Sequence, residues 1–397
     1  MCTLLHAVSL CLWGQRGSSA HQWLFNFLLA LIIVFNLGAY PLLLKIIARF
    51  KNLEHKIDSG LTPSVTVLIA AYNEGKVLRE KLENCLELDY PEELLDIVVV
   101  SDGSTDSTEG IVKEFESRGI RLLVNEVNQG KATALNNGIE NITSSIVVLS
   151  DANVMYQRDG IRNLVRHFAD DNIGAVSGKV VLLNEGLSYS DGEDAYYAVE
   201  HNIQQLESNT GNLIGADGAM YALRRELYRP LLADTLLDDF VLSMGVIQQH
   251  KRLIFDPQAL GFEKNTAEIA SEFNRKVRIV AGGIQSLQRK TVWPPQGNTL
   301  TALKLTCHKV MRWIIGPVIV LFFVLTFLLG LLTGHWLLVF LPIATALCVP
   351  AVHILNGFFP HLRNDRLVKL STCRLVMVNA SLVGCYKALT SRKISWR

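Results

Sequence analysis

The sequence predicts an α/β protein: an open, mostly parallel sheet with flanking helices, joined to transmembrane helices. Three observations predict this. From Pro63 to about Lys290, short apolar runs ending in turn residues alternate with helical patterns, as they do in an α/β domain. Three of these runs are followed at once by a polar motif: Ala71-Tyr72-Asn73-Glu74 after Val65 to Ala70, Ser101-Asp102-Gly103-Ser104-Thr105-Asp106 after Ile97 to Val100, and Asp151-Ala152-Asn153 after Ile146 to Leu149. The carboxyl ends of parallel strands share one edge of a sheet, so the three motifs converge on one crevice, where such folds bind nucleotides. Finally, apolar runs long enough to cross a bilayer flank the domain on both sides.

In chain order, residues 1–22 form an N-terminal segment too short in its apolar part, Met1 to Trp13, to span. Residues 23–47 suffice for a transmembrane anchor, since about 20 apolar residues cross a bilayer. Lys45 in its last turn and Arg49, Lys51 and Lys56 beyond it form a basic flank on the following side, whereas only Arg16 and two histidines precede the run. The positive-inside bias therefore places the next domain, residues 63–290, in the cytosol. Within it, Asp106 and Glu109 have the spacing of a capping box that starts a helix running toward Arg118. Asn128-Gln129-Gly130-Lys131 opens a helical pattern over Ala132 to Asn141. A glycine and then a lysine at a helix start give close backbone approach and positive charge, both suited to phosphate. The glycine spacing is not that of a P-loop.

Trp293-Pro294-Pro295 breaks the α/β pattern. Residues 300–313 mix apolar side chains with Lys304, Lys309 and Arg312, which fits a helix on the membrane face or a basic cytosolic flank. Residues 314–332 and 336–355 read as two spans joined by a hairpin at Thr333-Gly334-His335, facing away from the cytosol. The last apolar stretch, 367–389, contains Lys369, Arg374 and Lys387 and leads to Arg392, Lys393 and Arg397. If it spanned, that basic tail would lie outside, so a re-entrant or interfacial path competes with a transmembrane one.

Composition narrows the function. With 38 basic and 37 acidic side chains the net charge is +1, which argues against nucleic acid as a partner held by bulk electrostatics. A mean hydropathy of +0.25 with 49% hydrophobic residues points to a lipid bilayer instead. The seven cysteines include no C-x-x-C pair, so neither a zinc site nor a disulfide framework is indicated.

Ala-Tyr-Asn-Glu, then Ser-Asp-Gly-Ser-Thr-Asp, then Asn-Gln-Gly-Lys-Ala, then Asp-Ala-Asn as a near-match to Asp-X-Asp, together resemble the inverting family 2 glycosyltransferases of GT-A fold. Closest are the membrane-integrated synthases of cellulose, hyaluronan, chitin oligosaccharide and poly-N-acetylglucosamine. The resemblance implies a UDP-sugar donor, a polysaccharide or lipid-linked acceptor and a divalent cation, Mg2+ or Mn2+. It also implies an integral protein of the cell or inner membrane with its catalytic domain in the cytosol.

Carried over residue by residue, the resemblance assigns Ala71, Tyr72, Glu74 and Asp102 to the nucleotide, with Glu74 and Asp102 holding the uridine part. Asn73 and Asp102 also suit plain turns after strands. Lys131 faces phosphate or is an ordinary solvated helix residue. Asp151 is the best metal ligand, because Mg2+ and Mn2+ take hard oxygen donors. Asn153 stands where the family has a second aspartate; its amide oxygen still suits a cation but brings no charge, and it also suits a turn or cap.

Gly215, Asp217 and Gly218 resemble an acceptor-side loop, although a tight turn would use the same glycines. Asp238 and Asp239 fall where the family carries its Thr-Glu-Asp, making Asp239 the general base. Adjacent carboxylates repel, so the more buried of the two is expected to have a raised pKa. The dipole of a helix start would favour both. Arg275 and Arg278 occupy a Gln-X-X-Arg-Trp position: Arg278 keeps the arginine that meets the diphosphate, Arg275 replaces glutamine on the acceptor side, and Ile279 replaces the tryptophan that stacks on the acceptor sugar. Isoleucine has no π face for a sugar ring.

Overall fold

In the computed structural model the described residues are 39–183, 190–264, 269–340, 343–344 and 366–390. An eight-stranded sheet forms the centre. Its strands are β1 (Val65–Ala71), β2 (Leu95–Asp102), β3 (Ile120–Asn125), β4 (Ile146–Ser150), β5 (Val154–Tyr156), β6 (Ile173–Leu183), β7 (Met220–Arg224) and β8 (Arg252–Lys264). They lie in the order β3-β2-β1-β4-β7-β6-β8-β5. The first four pair in parallel, β7 runs antiparallel to β4 and β6, and β5 runs antiparallel to β8.

β1 is buried along its whole length, as a strand covered on both faces must be. Alternate residues feed two core layers. Val65, Val67 and Ile69 join Leu82 and Phe115 on one side, while Leu68 joins Val98, Val100 and Leu135 on the other. The registers Ala71 opposite Ser101 and Ile69 opposite Ser150 bring the ends of β1, β2 and β4 to one edge.

The helices of the first half are α1 (Tyr40–Phe50), α2 (Leu78–Leu86), α3 (Thr108–Phe115), α4 (Lys131–Glu140) and α5 (Gly160–Val165). α4 seats flush on the sheet because Gly138 has no side chain: a Cβ there would stand 2.5 Å from Leu68 Cδ1. The capping box at Asp106 and Glu109 does not form. α3 starts at Thr108, where Asp106 accepts from the Thr108 amide at 3.0 Å and from the Gly75 amide at 3.0 Å, and Glu109 instead accepts from Ser101 Oγ at 3.0 Å. Asp106 thus holds both its own helix start and the loop at Gly75, while Glu109 turns to the end of β2 instead of closing back on Asp106.

In the second half come α6 (Ser190–Asn209), α7 (Asp238–Gln248), α8 (Ile269–Gln288), α9 (Thr299–Lys304), α10 (Met311–Thr333) and α11 (Arg366–Leu389). A π-helical segment, Leu305–Val310, joins α9 to α10. Among the described residues one helix, Thr299–Thr333, is long and apolar enough to cross a membrane. Gly334, at φ +70°, ends it in the left-handed cap that glycine favours. Of the expected spans, 23–47 lies outside the described residues except for its end in α1, and 336–355 lies largely outside them.

The basic residues of 300–313 turn into the domain. Lys304, 1% exposed, donates to the carbonyls of Glu207 at 2.7 Å and Asn212 at 3.1 Å. His308, in the π segment, stands between Glu207 and Glu200, 2.8 Å from each carboxylate. Arg312 reaches Glu200 at 2.6 Å, and the Tyr40 hydroxyl of α1 donates to Glu207. Burial opposes charge on both glutamates, yet the neighbouring His308 outweighs it and holds both below the usual carboxylate range. α11 runs antiparallel to α10: Gly316 N donates to Ser381 Oγ at 3.1 Å and Cys385 Sγ to the Trp313 carbonyl at 3.4 Å. Further along α11, Gly384 lies against Val280 of α8, so the carboxyl end of α11 meets the α/β domain.

Candidate active site

The loops behind β1 and β2 are stitched together before any ligand is considered. Asn73, at φ +57°, accepts the Thr105 amide on its side-chain oxygen at 2.8 Å, and the Glu74 amide donates to Thr108 Oγ1 at 2.9 Å. Ala71 is fully buried, Tyr72 is half-buried, and the half-buried Glu74 carboxyl is pushed up by burial and by the charges of Asp151 and Asp106. Glu74 thus senses the third strand-end motif, which places both at one crevice.

Asp102 is fully buried and occupied by its own chain. It accepts from Asn125 Nδ2 at 2.8 Å, the Gln129 amide at 3.1 Å and the Gly130 amide at 2.7 Å. Its visible work is to fasten the loop that delivers Lys131. Gly103, at φ +67°, lets that loop approach, since a Cβ there would lie 2.4 Å from the Asn128 amide.

Lys131, the first residue of α4, joins two of the expected sites. Its ammonium is 2.7 Å from Asp151 Oδ1 and 3.4 Å from Asp238 Oδ2. Burial works against this charge, but Asp151 and Asp238 outweigh it and hold the ammonium well above its ordinary pKa. Asp151 stays 40% exposed at the end of β4, which leaves oxygen available to the crevice.

Asp238 and Asp239 open α7, where the helix dipole favours negative charge. Asp238 is covered to 7% exposure, and the Asp239 carboxyl is pushed up to about 7 by burial and by the charge of Asp238. Lys131 contacts Asp238, and Asp239 meets its neighbour's charge. Gly215 and Gly218 make the space above it. A Cβ on Gly218 would stand 2.6 Å from Asp239 Oδ2, and one on Gly215, at φ +81°, would strike the Phe240 ring at 2.7 Å. Asp217 between them is anchored through its amide to Ser177 Oγ at 2.9 Å, and its carboxyl is pushed up by burial and by Asp151.

Two residues here had no local signal in the sequence. Glu263, on β8, accepts from Asn153 Nδ2 at 2.9 Å and is pushed up to about 7 by burial, then by Asp151 and Asp217. Tyr197, on α6, accepts from Arg275 Nη2 at 3.1 Å, while Arg275 Nε also reaches Glu272 at 2.6 Å. Arg275 lies near enough for Asp217, in the Gly215–Gly218 loop, to feel its charge. Arg278 follows three residues later on the same helix and is half-buried. One turn on, Gly282 seats α8 against Leu236 and Leu237, immediately before Asp238. Among the described residues no three His, Cys, Asp or Glu side chains stand ready as a metal cage.

Residues 66–232 match the family described as glycosyl transferase family 2. Residues 66–232 thus carry that family's domain, set in a GT-A fold, which supports a glycosyltransferase enzyme. It is 25% identical over 284 residues to a poly-beta-1,6-N-acetyl-D-glucosamine synthase of Staphylococcus epidermidis, across 70% of this chain and 67% of that one. A synthase of the same name from Staphylococcus aureus is 24% identical over 244 residues, 60% of this chain and 59% of the relative. The matches thus span about three-fifths to two-thirds of those relatives' lengths. Among solved structures, a mannosyltransferase from Pyrobaculum calidifontis in complex with GDP-mannose and Mn2+ superimposes with a TM-score of 0.68 at 24% identity, covering 93% of this chain and 99% of its own.

Proposed function

We propose that this protein moves a hexose or N-acetylhexosamine from a UDP-sugar to a growing surface polysaccharide, working on the cytosolic side of a membrane in which it is embedded. The observation that carries the reading is the convergence at one sheet edge: Asp151 and Asp238 share Lys131, and beside them Asp239 has a pKa of about 7. A base poised near neutrality accepts the acceptor hydroxyl's proton without being permanently protonated. As that oxygen attacks the anomeric carbon, the bond to the diphosphate breaks on the opposite face, so the configuration inverts in a single displacement. Arg278 and Lys131 bring positive charge toward the departing diphosphate.

The donor set fits a hard divalent cation. Asp151 offers an accessible carboxylate oxygen, and Asn153, whose amide nitrogen is engaged by Glu263, keeps its carbonyl oxygen available. When bound, Mg2+ or Mn2+ would neutralise the leaving diphosphate. The relatives' names support a polysaccharide product, and the solved mannosyltransferase's Mn2+ supports a divalent cation. The helix Thr299–Thr333 supports a membrane location.

Ile279 favours a second reading, transfer of one sugar to a lipid-linked acceptor, because it offers no aromatic platform for a chain of sugars. An inactive sugar-nucleotide-binding partner is suggested only by Asn153, and the poised Asp239 speaks against it. The test is a donor screen on the detergent-solubilised full chain, reading UDP release and product length. Release with one UDP-sugar supports an enzyme, and a polymer rather than a single addition supports the first reading. No release with any UDP-sugar would sink both.

A further inference from the structure

The Asp151-Ala152-Asn153 turn is held more firmly than its length requires. Ala152 is packed into the core at 4% exposure, while the polar residues on either side stay partly accessible. Directly behind the turn, Lys81 of α2, itself fully buried, donates to the Val154 carbonyl, and the Asn84 side chain pairs with both backbone groups of Tyr156. β5 is thereby clamped from below. Its antiparallel pairing to β8, with Val154 opposite Glu263, fixes it from the side.

With the backbone already secured, the bond from Asn153 Nδ2 to Glu263 Oε1 at 2.9 Å does something the strand pairing does not. A side-chain amide carries its donor and its acceptor on opposite sides of one carbon. Engaging the nitrogen with a carboxylate fixes which side the oxygen occupies and polarises the amide, making that oxygen a better donor. We propose that Asn153 and Glu263 act as one divided carboxylate. Asn153 provides the oxygen that faces the cation, and Glu263, a positioning residue on the neighbouring strand, provides the negative charge and the orientation that a neutral amide lacks.

This inference rests on the cation reading above. It explains how a site with only one aspartate in its Asp-Ala-Asn motif keeps a second anionic contribution, and why that contribution comes from 110 residues away. It also predicts that Asn153→Asp in the native background gains little, because the new carboxylate would stand against Glu263.

The experiment is Mn2+ binding to the full chain in detergent with saturating UDP, followed by the paramagnetic signal of free Mn2+, which does not depend on turnover. Wild type, Glu263→Gln, Asn153→Asp and the Asn153→Asp/Glu263→Gln double variant are compared, with thermal unfolding as a folding check. Glu263→Gln should weaken Mn2+ by about tenfold or more, in the range seen when outer partners of metal ligands are removed. The double variant should recover that loss, giving strong non-additivity between the two changes. If Mn2+ binds wild type and Glu263→Gln equally, the divided carboxylate is wrong while the cation site stands. An unrecovered loss in the double variant makes Glu263 a packing residue and also overturns the proposal. Failure of wild type itself to take up Mn2+ with UDP would remove the cation reading and this inference with it.

Discussion

Asp239 is under opposing demands as pH changes. Its ordinary pKa is 3.8 and burial with Asp238 raises it to about 7 in the fold. Between those values the folded state holds a proton that the unfolded state has lost, so stability falls as pH rises through that window and flattens above 7. Transfer runs the other way, rising as the base sheds its proton. Thermal unfolding should show a larger loss of Tm from pH 5 to pH 8 in wild type than in Asp239→Asn, where only groups such as Glu263 still contribute a slope. The same variant should lower kcat by roughly two to four orders of magnitude while leaving UDP binding intact. Equal losses of binding and turnover would make Asp239 structural. At Gly218, an added methyl must displace the Asp239 carboxylate, and Gly218→Ala should cost roughly a hundredfold in kcat, the scale of a 1 Å misplacement. Asp151, Lys131 and Asp239 were legible because each follows a strand or opens a helix within a recognisable local string. Glu263 was not, since Gly261-Phe262-Glu263-Lys264 carries no local mark and its meaning arises only when β8 lies beside β5.

Among the elements, the strands were the most legible, because a continuous apolar run stopped by a polar motif is what burial on both faces looks like in sequence. Helix starts were less so. Asp106 and Glu109 have the right spacing for a self-contained cap, yet the tertiary partners Gly75 and Ser101 claim them. The flush seating of α4 on β1 and β2 yields a stability prediction. Leu68, fully buried against Gly138, should cost about 2–5 kcal/mol when changed to Ala. Chemical denaturation of the detergent-solubilised protein would measure it, and a loss below 1 kcal/mol would mean that α4 relaxes into the gap.

For the whole molecule, the proposed cytosolic placement rests on Lys45, Arg49, Lys51 and Lys56 on one side of the domain and Lys304, Lys309 and Arg312 on the other. A cysteine at Glu116 should therefore resist a membrane-impermeant label on intact cells, while one at Thr333 should react. Labelling at Glu116 alone would overturn the cytosolic reading. The direction of α11 bears on the competition left open by its sequence: its carboxyl end, with Lys387, stands beside α8 of the catalytic domain, which supports placing those positive charges on the domain's side of the bilayer. Hydropathy alone does not show this, because the direction of a helix depends on what it packs against.

The cluster of Lys304, His308 and Arg312 with Glu200 and Glu207 has a practical meaning for anyone wishing to handle the enzyme without lipid. Ending the chain at Lys290 would discard every one of those cations and leave two carboxylates inside the domain with no counter-charge, a change that costs about 3–5 kcal/mol when a buried pair loses one partner. The same cut would free the backbone of Asn212, which leads into the Gly215–Gly218 loop. A water-soluble fragment of this kind should come out unfolded or aggregated, whereas one extended through Thr333 in detergent should melt cooperatively. The membrane-length helix Thr299–Thr333 is therefore a structural part of the α/β domain, and purification has to carry it along.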